Sequence, residues 1–301
     1  MFELKNEKIA IPVVLFAGLL WSFGPLVVRY MDQPGSVPWQ YIFARGLTIF
    51  VVLNLYLYFE EGKKFYKNYF KVGVSGLIGG CGLGIAMVTF IYSITNTTAA
   101  ITLLCLAAMP FFTALLGFLF LKEKISFNVW VAIIIATIGI IIIAMGNTEK
   151  NSLIGLIFGM TSSIGFSVFS VTLRWRKETP KFTTVALAGL FCVLIASIFL
   201  IMNKSVFFST SYNGSLFSLH GTIVCIGLIL YSIGSKAIPA AELTLLSLTE
   251  VIGGIFWVWL PFFGINEIPT ANTIIGGFFL FMSIIYYSLT IKTNRRFIAL
   301  N

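Results

Sequence analysis

The stretch Pro239 to Pro261, PAAELTLLSLTEVIGGIFWVWLP, is long enough to cross a bilayer yet carries a carboxylate, Glu250, near its middle. Counted from Ala240, Glu250 lies roughly 15 Å along a helix, half of a ~30 Å hydrocarbon core. Ionisable groups at that depth face a bundle interior or a water-filled path, and their default reading is functional. The remainder of the chain is read for what it builds around this carboxylate.

Hydrophobic residues make up 58% of the 301 residues and charged residues only 10%, with a mean hydropathy of +0.97. Such values lie outside the range of soluble domains. Apolar segments recur with short polar breaks, and ten candidate spans are read: Ile9–Tyr30, Pro38–Phe59, Phe70–Ile94, Thr98–Leu121, Phe127–Met145, Ser152–Trp175, Phe182–Met202, Leu216–Lys236, Pro239–Pro261 and Thr270–Thr290. Each is near the ~20 residues a spanning helix needs, and none has the alternating pattern of a barrel strand. The expectation is an all-α integral membrane protein, because helices satisfy their own backbone in lipid. Lys5 and Lys8 before the first run mimic a secretory leader. The run is too long, however, and it ends in Val27-Val28-Arg29-Tyr30 without a small-x-small cleavage pattern, so it is read as the first span.

The net charge of +9 follows topology and does not point to nucleic acid. With a cytoplasmic N-terminus, sixteen of the twenty Lys and Arg residues fall inside, from Lys5 and Lys8 through Lys63, Lys64, Lys67 and Lys71 to Arg295 and Arg296. Only Arg29, Lys150 and Lys204 fall outside, and Arg45 sits within a span. Both termini are therefore expected in the cytoplasm and the protein in the inner membrane. No extramembrane segment is long enough for a soluble module. Cys81, Cys105, Cys192 and Cys225 all lie in spans and read as small packing residues, and no CxxC is present for redox or metal work. Neither cofactor nor metal is implied.

The chain repeats itself. Gly18-Leu19-Leu20-Trp21-Ser22-Phe23-Gly24 meets Gly159-Met160-Thr161-Ser162-Ser163-Ile164-Gly165 at a shift of 141, and the same shift carries Ala99-Ala100 and Leu104 onto Ala240-Ala241 and Leu245. Tyr92-Ser93-Ile94 matches Tyr231-Ser232-Ile233 at a shift of 139. The common order implies two five-helix halves, residues 1–146 and 147–301. An odd number of spans per half sends the second half into the membrane from the opposite side, which makes an inverted pair. Inverted repeats permit two mirror-related tilts of one packing, the physical basis of alternating access.

Three features carry a resemblance: the Gly-x-x-Trp-Ser-Phe-Gly stretch at Gly18 to Gly24, Arg45, and the block Ala99-Ala100-(x)9-Pro110-(x)12-Glu123-Lys124-Ile125. The second half supplies Ala240-Ala241-(x)8-Glu250 and Asn266-Glu267. On these residues the chain resembles the EamA-type transporters of the drug/metabolite transporter superfamily. The resemblance implies a basket with spans one to four and six to nine around a central cavity and spans five and ten at the side. It also implies ATP-independent transport of small metabolites, often export of amino acids or related compounds. The family pattern often places Pro after the acidic residue of the ninth span. Here Val251 follows Glu250, which removes an expected kink.

Six residues are candidates for substrate binding. On a continuous helix Ser247, Gly254 and Trp257 would share the face of Glu250, which suits a cationic amine or a proton. Arg45, about 10 Å deep, cannot shed its charge and must pair with a carboxylate, carbonyls or a substrate carboxyl group, or snorkel outward, and a structural role is preferred to direct binding. Trp21, with Ser162 and the aromatic Phe166 in the matching place of span six, would offer stacking and cation-π contact. His220, the single histidine, reads as an interfacial side chain near the outer end of span eight, and Glu242 as a carboxylate at the start of span nine. The glycines of span three and Gly155 and Gly159 read as close helix contacts, since no phosphate-loop sequence is present. The expected function is secondary transport of an amino acid or amine, with proton coupling left open. The competing classes are an integral-membrane enzyme and a non-transporting scaffold. A Ser/His hydrolase has no GxSxG, and the lone aspartate, Asp32, removes paired intramembrane aspartates.

Overall fold

The computed structural model describes residues 6–97, 99–123, 125–146, 153–176, 178–265, 268 and 270–298. Lys5, Lys124, Lys150, Lys177, the Asn266-Glu267 pair and the junction between residues 146 and 153 lie outside them. Among the described residues every regular element is a helix. The first span comprises α1 (Glu7–Trp21) and α2 (Gly24–Arg29), and the second comprises α3 (Pro38–Glu61), followed by the short α4 (Lys67–Lys71). α5 (Gly73–Asn96), α6 (Ala99–Leu106), α7 (Met109–Leu116) and α8 (Phe127–Gly146) complete the first half. The second half holds α9 (Leu153–Trp175), α10 (Lys181–Met202), α11 (Ser211–Gly234), α12 (Ala240–Leu246), α13 (Thr249–Trp259) and α14 (Ala271–Ile298).

Eight of these units, from Glu7–Arg29 to Ala240–Trp259, are long and apolar enough to cross a membrane. They coincide with the expected spans one to four and six to nine. The fifth and tenth expected spans fall on α8 and α14, whose continuous apolar stretches among the described residues are Phe127–Ile142 and Ile274–Tyr287, shorter than ~20 residues. α8 and α14 pack against each other, with Ser283 Oγ donating to Ala132 O at 2.7 Å. The other helices form the basket: α5 packs on α9 and α10, α3 on α10 and α11, α1 on α11, and α7 on α12. Two of these contacts need glycine. A Cβ on Gly46 of α3 would sit 2.8 Å from Gly189 O of α10, and one on Gly165 of α9 would sit 2.6 Å from Gly82 O of α5. Small residues at such crossings let backbones close without a side chain between them.

The fourth and ninth spans are each two helices, not one. In the fourth, Pro110 lacks the N–H that Leu106 O would accept, and Ala107 and Ala108 bond back three residues, to Leu104 and Cys105. In the ninth, Glu250 N donates to Ser247 O at 2.9 Å and Leu248 N to Leu245 O at 3.2 Å, so the carbonyls of Leu246 and Thr244 lose their helical partners. Hydroxyls replace them. Ser247 Oγ donates to Thr244 O at 2.8 Å and Thr249 Oγ1 to Leu246 O at 3.1 Å. A break without proline is tolerated in the bilayer when side chains take up the freed backbone groups. The kink that Val251 was expected to remove is therefore present, made by Ser247 and Thr249.

Candidate functional site

The break in the ninth span places Glu250 in the first turn of α13, where the N-terminal helix dipole favours a carboxylate. At the corresponding break Met109 opens α7. Both residues line one narrow cavity, of about 60 Å³, formed between α1, α3, α5, α6, α7, α9, α11 and α13. Trp21 of α1, Arg45 of α3, Phe90 of α5, Ser162 and Phe166 of α9, and His220 of α11 complete its distinctive wall.

Arg45 is 6% exposed, and its Nε and Nη1 have no hydrogen-bond partner. Its guanidinium carbon lies 5.7 Å from the centroid of the Phe90 ring, a cation-π contact that leaves the in-plane donors unused. Glu250 is 9% exposed, and among the described residues no donor or cation engages its carboxylate. Two opposite charges thus face one cavity without closing on each other. Buried charges are ordinarily paired, because desolvation costs several kcal/mol per ion.

Aromatic rings shape the remaining wall. Trp21 lies 5.5 Å, edge-on, from Phe166 and 5.5 Å from Tyr231, and its Nε1 donates to Val224 O at 3.3 Å. Ser162 Oγ donates to Ala86 O at 2.8 Å, tying α9 to α5 at the cavity edge. Four of the six candidate residues, Trp21, Arg45, Ser162 and Glu250, thus meet at the cavity. Ser247 and Trp257 do not line it. Ser247 is fully buried at the helix break, and Trp257 Nε1 donates to Ser22 Oγ at 2.7 Å while its ring stacks on Phe23 at 4.7 Å. The break separates Ser247 from the face of Glu250, whereas Trp257 lies two turns beyond Glu250 on the unbroken α13 and is held away from the cavity by Ser22 and Phe23 of the first span.

His220 is placed differently from its interfacial reading. It is 1% exposed, lines the cavity and hydrogen-bonds through Nδ1 with the Tyr41 hydroxyl. The cause lies at the start of α11. Thr210 caps the helix by accepting from Asn213 N, so the helix begins at Ser211, five residues before the apolar run at Leu216, and carries His220 deeper. Tyr41 and Phe90 were not singled out by the sequence reading, whereas Phe166 was read as the aromatic that matches Trp21 in span six. The cap signal Thr210-Ser211 would have located His220, but nothing in the pattern distinguishes Tyr41 and Phe90 from packing residues. Among the described residues no three His, Cys, Asp or Glu side chains gather within reach of one metal ion.

At one end of the basket Arg174 binds Glu123 Oε1 through Nε at 2.6 Å and donates from Nη1 to Ser235 O and Ile238 O at 3.0 and 2.7 Å. Glu123 Oε2 accepts from Ala240 N at 3.4 Å, which caps α12 from the other half of the chain. Glu242, in the first turn of α12, accepts from the Tyr287 hydroxyl.

The comparisons bear on the fold and the family. A protein of known crystal structure shares the fold with a TM-score of 0.75 at 17% identity, covering 96% of this chain and 99% of its own. Two Helicobacter pylori proteins, named only as uncharacterized transporters, are 28% and 27% identical over 184 residues, 60% of this chain. The chain spans about 60% of the length of these curated relatives. A Pseudomonas aeruginosa protein named pseudopaline exporter CntI is 24% identical over 222 residues, 73% of this chain and 75% of its own. Residues 8–145 match the model of the EamA-like transporter family, and this match together with the relatives named as transporters supports the reading of an EamA-type transporter of the drug/metabolite transporter superfamily.

Proposed function

We propose that the chain is a secondary active carrier, and not an enzyme, that moves a small amino acid or amine across the inner membrane by alternating access. The observation that carries this reading is the cavity between the halves, in which the unpaired Arg45 guanidinium and the Glu250 carboxylate face one space without contact. Arg45 takes a substrate carboxylate, Glu250 takes the ammonium group, and Trp21 and Phe166 cover the apolar part. Where the substrate is an amine without a carboxylate, Glu250 alone supplies the counter-charge. Ser162 sets the α5–α9 wall, Ser247 supports the backbone break beneath Glu250, and Trp257 ties the ninth span to the first through Ser22.

Ten spans in two inverted halves, residues 1–146 and 147–301, belong to the same reading. Exchanging spans one to five with six to ten maps the observed pairs onto themselves: α5–α9 becomes α11–α1, while α3–α10, α7–α12 and α8–α14 each map to themselves. The paired breaks at residues 107–108 and 247–248 support it too. Both termini are placed in the cytoplasm by the charge asymmetry. Kinship to a protein named an exporter favours outward movement.

Purified protein in liposomes tests the proposal. Counterflow of a labelled amino acid or amine without chemical change supports the carrier. Product formation or single-channel currents would overturn it, and a reporter fused at Asn301 that reads outside the cytoplasm would overturn the topology.

A further inference from the structure

A second cavity, of about 280 Å³, lies away from the central one, at the end of the bundle where α3 leads into α4 and α10 begins. Its chemistry differs from that of the central site. Lys71, Lys181 and Lys236 line it from three separate segments, with Glu61, Glu178 and the first turn of α10. Glu61 Oε2 is already engaged, accepting from Asn68 Nδ2 at 2.7 Å.

Lys181 is 3% exposed. Its Nζ donates to Ser235 Oγ at 2.5 Å, one of three bonds an ammonium can make, and among the described residues no carboxylate pairs with it. Arg174, which binds the carbonyl of the same Ser235, has Glu123 as its counter-ion. Lys181 has no such partner. Thr183, on the same wall, is fully buried, and its Oγ1 has no hydrogen-bond partner. The N-cap of α10 is Pro180, which supplies no side-chain acceptor, so the first-turn N–H groups of this 22-residue helix add donors to the wall. A buried ammonium, an unused hydroxyl and a free helix N-terminus ask for one thing, an anion with several acceptor oxygens.

We propose that this cavity binds a phosphate group, held by Lys181, Thr183 Oγ1 and the N-terminus of α10, with Lys71 and Lys236 at its mouth. Phosphate offers enough acceptors to satisfy these donors together, which a carboxylate does not. Two sources present that group, a soluble phosphate and the headgroup of an anionic lipid. The neighbouring segment exposes Phe59, Tyr66 and Phe70 beside Lys63, Lys64 and Lys67, the aromatic and basic pairing of a membrane interface where headgroups lie. The site is independent of the central cavity and of the direction of transport.

The test is thermal unfolding of the detergent-purified full chain. One arm titrates inorganic phosphate against chloride at matched ionic strength, and the other titrates phosphatidylglycerol against phosphatidylcholine. A saturable rise in Tm with inorganic phosphate assigns a soluble phosphate. A rise with phosphatidylglycerol, absent with both phosphate and phosphatidylcholine, assigns the lipid headgroup. In either case Lys181→Gln should raise the half-saturating concentration about tenfold. Thr183→Val, which keeps the side-chain shape, and Lys71→Gln, at an exposed position, should raise it a few-fold, roughly as one hydrogen bond or one mouth charge predicts. These two variants carry the test if Lys181→Gln does not fold. No rise with either probe, or titrations identical in wild type and variants, overturns the proposal.

Discussion

Residues 99–116 and 240–257 correspond at a shift of 141. Both open with Ala-Ala, both stop after about two helical turns, and both resume at a residue that faces the central cavity, Met109 in one and Glu250 in the other. The devices that stop them are unlike. The first uses Pro110 to delete a donor, and the second uses the Ser247 and Thr249 hydroxyls to take up freed carbonyls. What is common is the result, the N-terminus of a half-helix presented at mid-bundle. The carboxylate is therefore not a by-product of the architecture, since the same architecture in the other half carries a thioether. It is the chemical difference between two equivalent places.

Replacing each member of the pair tests that contrast most strongly. Glu250→Gln keeps the shape and removes the charge, and counterflow should fall by roughly 100-fold, as expected when a buried charge partner of a cationic group is lost. Any pH dependence of wild-type counterflow that arises at this carboxylate should be absent from the residual activity. Met109→Leu should stay within about twofold, because a volume-conserving apolar exchange preserves the wall. Wild-type rates in Glu250→Gln would end the proposed role, and equal losses at both positions would reduce the contrast to packing.

The opposite wall predicts a selective effect. Arg45→Met should weaken a substrate bearing a carboxylate by about 10- to 100-fold, the worth of a charge-assisted hydrogen bond, and leave its decarboxylated amine analogue nearly unchanged. Loss of both ligands alike would mark Arg45 as a structural cation. Binding is read by thermal shift of the purified protein, since a ligand stabilises the state it binds.

Smaller effects separate the two breaks. Ser247→Ala together with Thr249→Val strips two carbonyls of their donors and should cost about 1–3 kcal/mol of stability. Pro110→Ala returns a donor to the first break and should change stability by less than about 1 kcal/mol. Urea or thermal unfolding in one detergent gives both values, and equal losses would mean that the breaks share one origin. Smallest of all, Glu123→Gln weakens the partly exposed pair with Arg174 and the cap on α12, which should cost about 1 kcal/mol. A loss of all folded protein in that variant would mean that the joint between the halves carries far more.

Much of the fold was legible because lipid simplifies the code. Apolar length alone delimits a helix, and eight units lie where the hydropathy placed them, with α8 and α14 falling short only in continuous apolar length. Glu250, Arg45, Trp21 and Ser162 stood out because charge, amphipathic rings and repeated small residues are conspicuous against a hydrocarbon background. Ser247 and Trp257 were grouped with Glu250 through helical periodicity, which fails for Ser247 because the backbone bonds break between them and for Trp257 because its ring is taken by Ser22 and Phe23 of another span. Hydropathy does not register where those bonds fail. His220 was misplaced in depth for a related reason, since its helix starts on a polar cap, Thr210 to Asn213, that an apolar-run criterion discards.

The sequence by itself determined that the chain is helical and belongs in a membrane, for both follow from local composition, and its self-similarity at a shift of 141 is the ground for proposing two like halves. It also determined that one carboxylate and one guanidinium lie within spans. Only the tertiary structure decided that Arg45 and Glu250 face the same cavity without pairing to each other, that Tyr41 meets His220, and that Lys181 is buried at an end of the bundle with no counter-ion among the described residues. Burial and pairing are relations between residues distant in the chain. The free energy of a charge depends on which partner arrives beside it, and no single stretch of sequence carries that information.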